Sequence, residues 1–85
     1  MYSHVIIHGT KGNQYENWIP WLFQKLTDLN FNVLVPQFPT PEGQDFENWS
    51  RILDSYLEFI DENTIIVAHS IGAVFALKYF NSRQK

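Results

Sequence analysis

Residues 65–73 read IIVAHSIGA. Three β-branched residues and an alanine start the stretch as a buried strand. The run stops at Ser70, with Ala68 two positions before it and Gly72 two positions after. A strand, then small-x-Ser-x-Gly, then a helix is the layout of a nucleophile elbow. In that layout the serine sits on a sharp, strained turn with its hydroxyl pushed out at the top of a sheet. Positions 68 and 72 are expected to be small because larger side chains would collide across the turn. A helix beginning after Ser70 aims its free N–H groups and its positive dipole end at the reacting centre. The Ile71 N–H is then one candidate oxyanion donor. His69, adjacent to the serine, points away from its hydroxyl.

Upstream, Val5-Ile6-Ile7 is a second β-branched run, and it ends at His8-Gly9. A second oxyanion donor is expected from the loop that follows, with the Thr10 N–H first and the Gly9 N–H next. His8 is expected to orient that loop through a hydrogen bond. Apolar residues then recur at Ile19, Leu22, Phe23, Leu26 and Leu29, a spacing that places them on one helix face. Asn17 is the expected N-cap, Pro20 falls in the first turn, and Asn30 is the expected stop. Residues 31–35, FNVLV, read as the next strand. PQFPTPEG follows, where three prolines and a glycine forbid regular structure. Phe46, Trp49, Leu53, Tyr56, Leu57 and Ile60 then mark a helix over 45–60, with Asp45 as a capping acid. Residues 64–68 form the third strand. A third helix carries Val74, Leu77, Tyr79 and Phe80.

The order strand, helix, strand, helix, strand, helix predicts an α/β fold with a parallel sheet between helices, a three-layer α/β/α arrangement. Right-handed crossovers and strand order 2-1-3 are the simplest doubly wound solution. That order brings His8-Gly9 and His69-Ser70 together at the carboxyl ends of adjacent strands, where ligands bind in open sheets.

Composition narrows the function. Apolar residues make up 45% of the 85-residue chain, too many for a disordered segment. The formal net charge of −3, with acids and bases interspersed, offers no basic stripe for nucleic acid. There is no cysteine, and the three histidines lack metal-ligand spacing, so no metal site is expected. No apolar run approaches the roughly 20 residues that span a bilayer, and no signal-peptide pattern opens the chain. A cytoplasmic protein that engages neither membrane nor nucleic acid is the expectation.

Three segments carry a resemblance: VIIHGTKGNQYENWIPWLFQKL (5–26), VLVPQFPTPEGQDFENWSRIL (33–53) and TIIVAHSIGA (64–73). In them the HG loop leads into a WIPW helix start, a PxP segment precedes an acidic-Trp helix, and AHSIG replaces the broader GxSxG. The chain resembles the α/β-hydrolase superfamily, and within it the small retinoblastoma-binding-protein-9-like serine hydrolases. The resemblance implies Ser70 as nucleophile, with oxyanion donors at Thr10 and Ile71. It implies hydrolysis of small carboxylic esters or amides, with peptidase-like activity among the expectations, and no metal or organic cofactor.

The superfamily's chain order is Ser, then Asp or Glu, then His. After Ser70 the sequence is IGAVFALKYFNSRQK, with no acid and no histidine. A serine hydroxyl needs a base to take its proton. The 85 residues therefore read as the N-terminal part of one hydrolase domain, with negligible turnover expected from them alone. In the 2-1-3 order, strand 64–68 is a flat, uncharged edge, which invites self-association or a complementing chain. A non-catalytic interaction module pairing through that edge is the alternative reading. His4 is expected to be a solvated strand-start residue. Trp49 is expected in the core, and Trp18 and Trp21 beside the site loop, packed rather than binding.

Overall fold

The computed structural model describes residues 1–9 and 18–83. The chain runs through β1 (His4–Ile7), α1 (Ile19–Asp28), β2 (Val33–Leu34), α2 (Phe46–Asp54), a single 3-10 turn (Leu57–Phe59), β3 (Ile65–Ala68) and α3 (Ile71–Arg83). The three strands form a parallel sheet in the order β2-β1-β3, as the alternation of elements predicts. His4 stands opposite both Val33 and Ile65, and Ile7 stands opposite Ala68. The chain moves from β1 out to β2 and then back across β1 to β3. With right-handed crossovers those two opposite steps put α1 on one face and α2 on the other.

The main core lies on the α2–α3 face. Val5 and Ile7 of β1 pack there with Leu34, Phe38, Trp49, Leu53, Phe75 and Tyr79. Strand alternation turns Ile6 to the opposite face, where it is equally buried. Phe38 lies in the proline-rich segment, yet it is fully buried and stacks on Trp49 at 4.7 Å between centroids. The Trp49 indole Nε1–H donates to Pro39 O at 2.8 Å, which ties α2 to that segment. Tyr79 is also fully buried, with its hydroxyl donating to Asp54 Oδ1 at 2.6 Å.

The start of α2 and the end of α1 follow the expected chemistry. Asp45 has extended backbone, and its Oδ1 accepts from Asn48 N–H at 2.7 Å, an N-cap bond to the third helical residue. Asp45→Ala should therefore lower the unfolding free energy by about 1 kcal/mol in a urea titration. Glu47→Ala removes an exposed 3.5 Å ion pair with Arg51 and a first-turn acid of α2, and should lower it by less than about 1 kcal/mol. Asn30 stops α1 with φ at 68°, in the left-handed region. Asn30 N–H donates to Thr27 O, and Phe31 N–H donates to Leu26 O, the paired bonds of a Schellman motif. Asn17, the expected N-cap of α1, lies outside the described residues, and the cap position falls instead on Trp18, which makes no side-chain cap hydrogen bond.

Four expectations need correction. Strand 31–35 shortens to two ladder residues, because Phe31 is spent on closing α1. The helix over 45–60 ends at Asp54. Ser55 Oγ donates to Ile52 O at 2.6 Å there, and the chain continues as a 3-10 turn. On α1 only Ile19 is buried, while Phe23 and Leu29 are exposed, since a three-stranded sheet is too narrow to cover the whole stripe. On α3 the buried residues are Phe75, Ala76 and Tyr79, whereas Val74 and Leu77 face outward.

Candidate active site

Ser70 lies between the last residue of β3 and the first of α3, with φ at 59°. A non-glycine residue in the left-handed region costs about 1–3 kcal/mol and persists only where its surroundings hold it. Here they do. His69 N–H donates to Ile7 O at 3.0 Å and extends the ladder to β1 as far as the turn. Gly72 N–H donates to His69 O at 3.0 Å, and Ala73 N–H donates to Ser70 O at 2.9 Å. The turn is thus closed on both sides of the serine.

Two glycines let the chain approach itself this closely. A Cβ on Gly9 would stand 2.9 Å from Ser70 Cβ and 3.1 Å from His69 O, so the end of β1 lies directly against the elbow. A Cβ on Gly72 would collide with the backbone oxygens of His8 and Ile7. Position 72 is small, as expected, but the reason differs. The constraint is the fit of α3 onto the end of β1, not a clash between the two arms of the turn. Ala68 is half-buried beside α3.

His8 is 1% exposed and has both ring nitrogens engaged. Phe38 N–H donates to Nε2 at 2.9 Å, so the ring proton lies on Nδ1, which donates to Gly9 O at 2.9 Å. The Phe38 and Trp49 rings meet it edge-on at 5.5 and 5.7 Å. His8 therefore braces the loop after β1, as its place in the chain suggests. Its one ring lone pair is taken by Phe38, which leaves it unable to accept a proton from Ser70. His69 is exposed and lies edge-on to Trp18 at 5.8 Å. His4 is buried, not solvated. The Ser3 hydroxyl and His4 Nδ1 are hydrogen-bonded at 2.8 Å, and Phe31 covers the ring. The first strand is the central one, so its start is covered from both neighbours.

Ile71 opens α3 beside the serine, which sets its N–H at the free end of the helix. Thr10, the other expected oxyanion donor, lies outside the described residues. A shallow cavity of about 310 Å³ runs from Ile71 between α2 and α3 over Phe46, Trp49 and Phe75 to Lys78. Lys78 Nζ sits 4.5 Å from the Phe46 ring centre at its far end. Trp49 is core, as expected, whereas Trp21, expected to pack, is 62% exposed on the outer side of α1. Among the described residues, no three His, Cys, Asp or Glu side chains gather into a metal-holding group. No helix among them is long and apolar enough to cross a membrane.

Comparison with known proteins agrees with this geometry. The sequence profile of the family described as "Serine hydrolase" matches residues 4–85. The chain belongs to the serine hydrolase family. Its similarity to YdeN of Bacillus subtilis (strain 168) is 32% identity over 79 residues, covering 93% of this chain and 42% of YdeN. Its similarity to Serine hydrolase RBBP9 of Rattus norvegicus is 30% identity over 83 residues, covering 94% of this chain and 44% of RBBP9. The crystal structure of the ydeN gene product superposes with a TM-score of 0.89 at 30% identity, over 99% of this chain and 45% of that one. The family chain described here thus spans less than half the length of these relatives.

Phe38 and Phe75 were not singled out by the motifs. Phe38 sits among prolines and lacks any periodic signal. Phe75 was legible in principle: once Gly72 must face β1, positions three, four and seven residues on share its side of the helix.

Proposed function

We propose that Ser70 is the nucleophile of a hydrolase acting on small carboxylic esters or amides. The observation that carries the reading is the strained Ser70 turn, locked between Gly9 and the start of α3. In the proposed reaction, Ser70 Oγ bonds to the substrate carbonyl carbon and gives its proton to a base. The carbonyl oxygen becomes an oxyanion that the Ile71 N–H and the Thr10 N–H stabilise. The carbon–oxygen or carbon–nitrogen bond to the leaving group then breaks, and the leaving group takes the proton. Water releases the acid from the acyl-serine and restores the hydroxyl. His8 holds the loop after β1 in place and takes no proton. The base and its supporting carboxylate come from outside these 85 residues, so the chain alone should show negligible turnover.

The test is a chimera in which residues 4–85 replace the matching segment of YdeN. A fluorophosphonate should modify the folded chimera at Ser70, located by peptide mass mapping, and Ser70→Ala should abolish the modification. A folded chimera that stays unmodified, or is modified at another serine, would overturn the assignment.

A further inference from the structure

A groove leads away from the serine. It starts at Ile71, the residue after Ser70, and runs between α2 and α3 to Lys78. Its volume of about 310 Å³ falls at the small end of the range for ligand pockets. Phe46, Trp49, Val74 and Phe75 supply the walls between its two ends. The polar side chains along it are already engaged. Asp45 accepts from Asn48 through both carboxylate oxygens, and Gln44 Oε1 accepts from the Thr40 hydroxyl. The Trp49 N–H is spent on Pro39 O, so that residue offers the groove only its ring. At the far end the Lys78 ammonium lies over the Phe46 ring. A ligand in this groove is therefore held by apolar burial rather than by hydrogen bonds.

We propose that the groove receives the acyl chain of the substrate, a straight aliphatic chain of about six to eight carbons, and that Lys78 over Phe46 is its end wall. The proposal deepens the Ser70 reading and rests on it. Three observations choose this occupant. Ile71, Val74, Phe75 and Lys78 follow one face of α3, so the groove runs straight along the helix. Ile71 and Lys78 are seven residues apart, about 10 Å along the axis, which an extended chain of about eight carbons spans. The Ile71 N–H, the candidate oxyanion donor, stands at the mouth, which sets the carbonyl carbon there. The acyl chain stays on Ser70 through both chemical steps, whereas the leaving group must clear the site before water enters. A groove closed at its far end suits the part that stays.

The test uses the chimera of residues 4–85 with YdeN and p-nitrophenyl esters that differ only in acyl length. From acetate to hexanoate, kcat/KM should rise about tenfold, because each methylene buried in a half-open groove gains about twofold. It should peak at six to eight carbons. Val74 is 59% exposed, so Val74→Trp can fill the groove from its open side. That variant should hold acetate turnover within about twofold and lose most of the hexanoate preference. Lys78→Ala removes the end wall and should move the peak to longer chains; it decides the matter if Val74→Trp does not fold. A flat length profile, or one that neither variant changes, would overturn the proposal. Fluorophosphonate separates the two readings. A chimera modified at Ser70 with a flat profile keeps the nucleophile and loses the groove. In a folded chimera that is unmodified at Ser70, an NMR titration with sodium octanoate reads the groove alone. Amide shifts at Ile71, Val74 and Lys78 that Val74→Trp abolishes would support it, and their absence would overturn it.

Discussion

Gly72→Ala should lower the unfolding free energy by about 2–3 kcal/mol, the upper part of the range for overpacking a close-fitted contact. The added methyl meets the backbone oxygens of His8 and Ile7. Neither can rotate aside as a side chain would, because both belong to the central strand end. Relief requires α3 to lift from the sheet, which would loosen Phe75 and Tyr79 in the main core. Alanine favours a helix over glycine by about 1 kcal/mol, and the clash outweighs that gain. A chain of this size has about 4–13 kcal/mol of total stability, so the loss is a large share of it. The midpoint of a urea titration reads the effect. An unchanged or higher midpoint would show that α3 does not sit against β1 as described.

Replacing His8 with leucine should cost a similar amount, about 2–4 kcal/mol, by a different route. Leucine fills much of the space but offers no hydrogen bond. Phe38 N–H loses its acceptor and Gly9 O loses its donor, both at a buried position. Each unsatisfied group costs about 1–3 kcal/mol. The loss should appear in the urea midpoint. Local hydrogen exchange should also rise at the Phe38 amide, whose partner is gone. A full-stability variant with a protected Phe38 amide would refute the bracing role.

Much of this was legible in advance because the deciding residues obey local rules. Alternating strand and helix patterns, with the right-handed crossover rule, lead to the 2-1-3 order without reference to any contact. Asp45 and Asn30 are chosen by their own side-chain and backbone chemistry, so their capping roles are readable one residue at a time. The misreadings depend on what lies across the fold. Phe23 fits a helical apolar stripe as well as Ile19 does, and only the width of the sheet separates buried from bare, while Leu77 is bare because it lies off the face of α3 that Gly72, Phe75 and Tyr79 turn to the sheet. His4 carries no mark in sequence that it belongs to the central strand. Phe38 is fixed by Trp49 and His8, both distant along the chain, so a reading of its neighbours alone sees only a proline-rich loop.

The central place of β1 has a consequence for synthesis. Of the three described strands it is made first, and β3 reaches it only after about 60 further residues, since His4 pairs with Ile65. At elongation rates of about 5–20 residues per second, that is a wait of roughly 3–12 s on the ribosome. For that interval Val5, Ile6 and Ile7 have one bare flank, and Gly9 has no elbow to close upon. The apolar flank of β1 therefore stays uncovered until residue 65 emerges, and the Ser70 turn can form only after that.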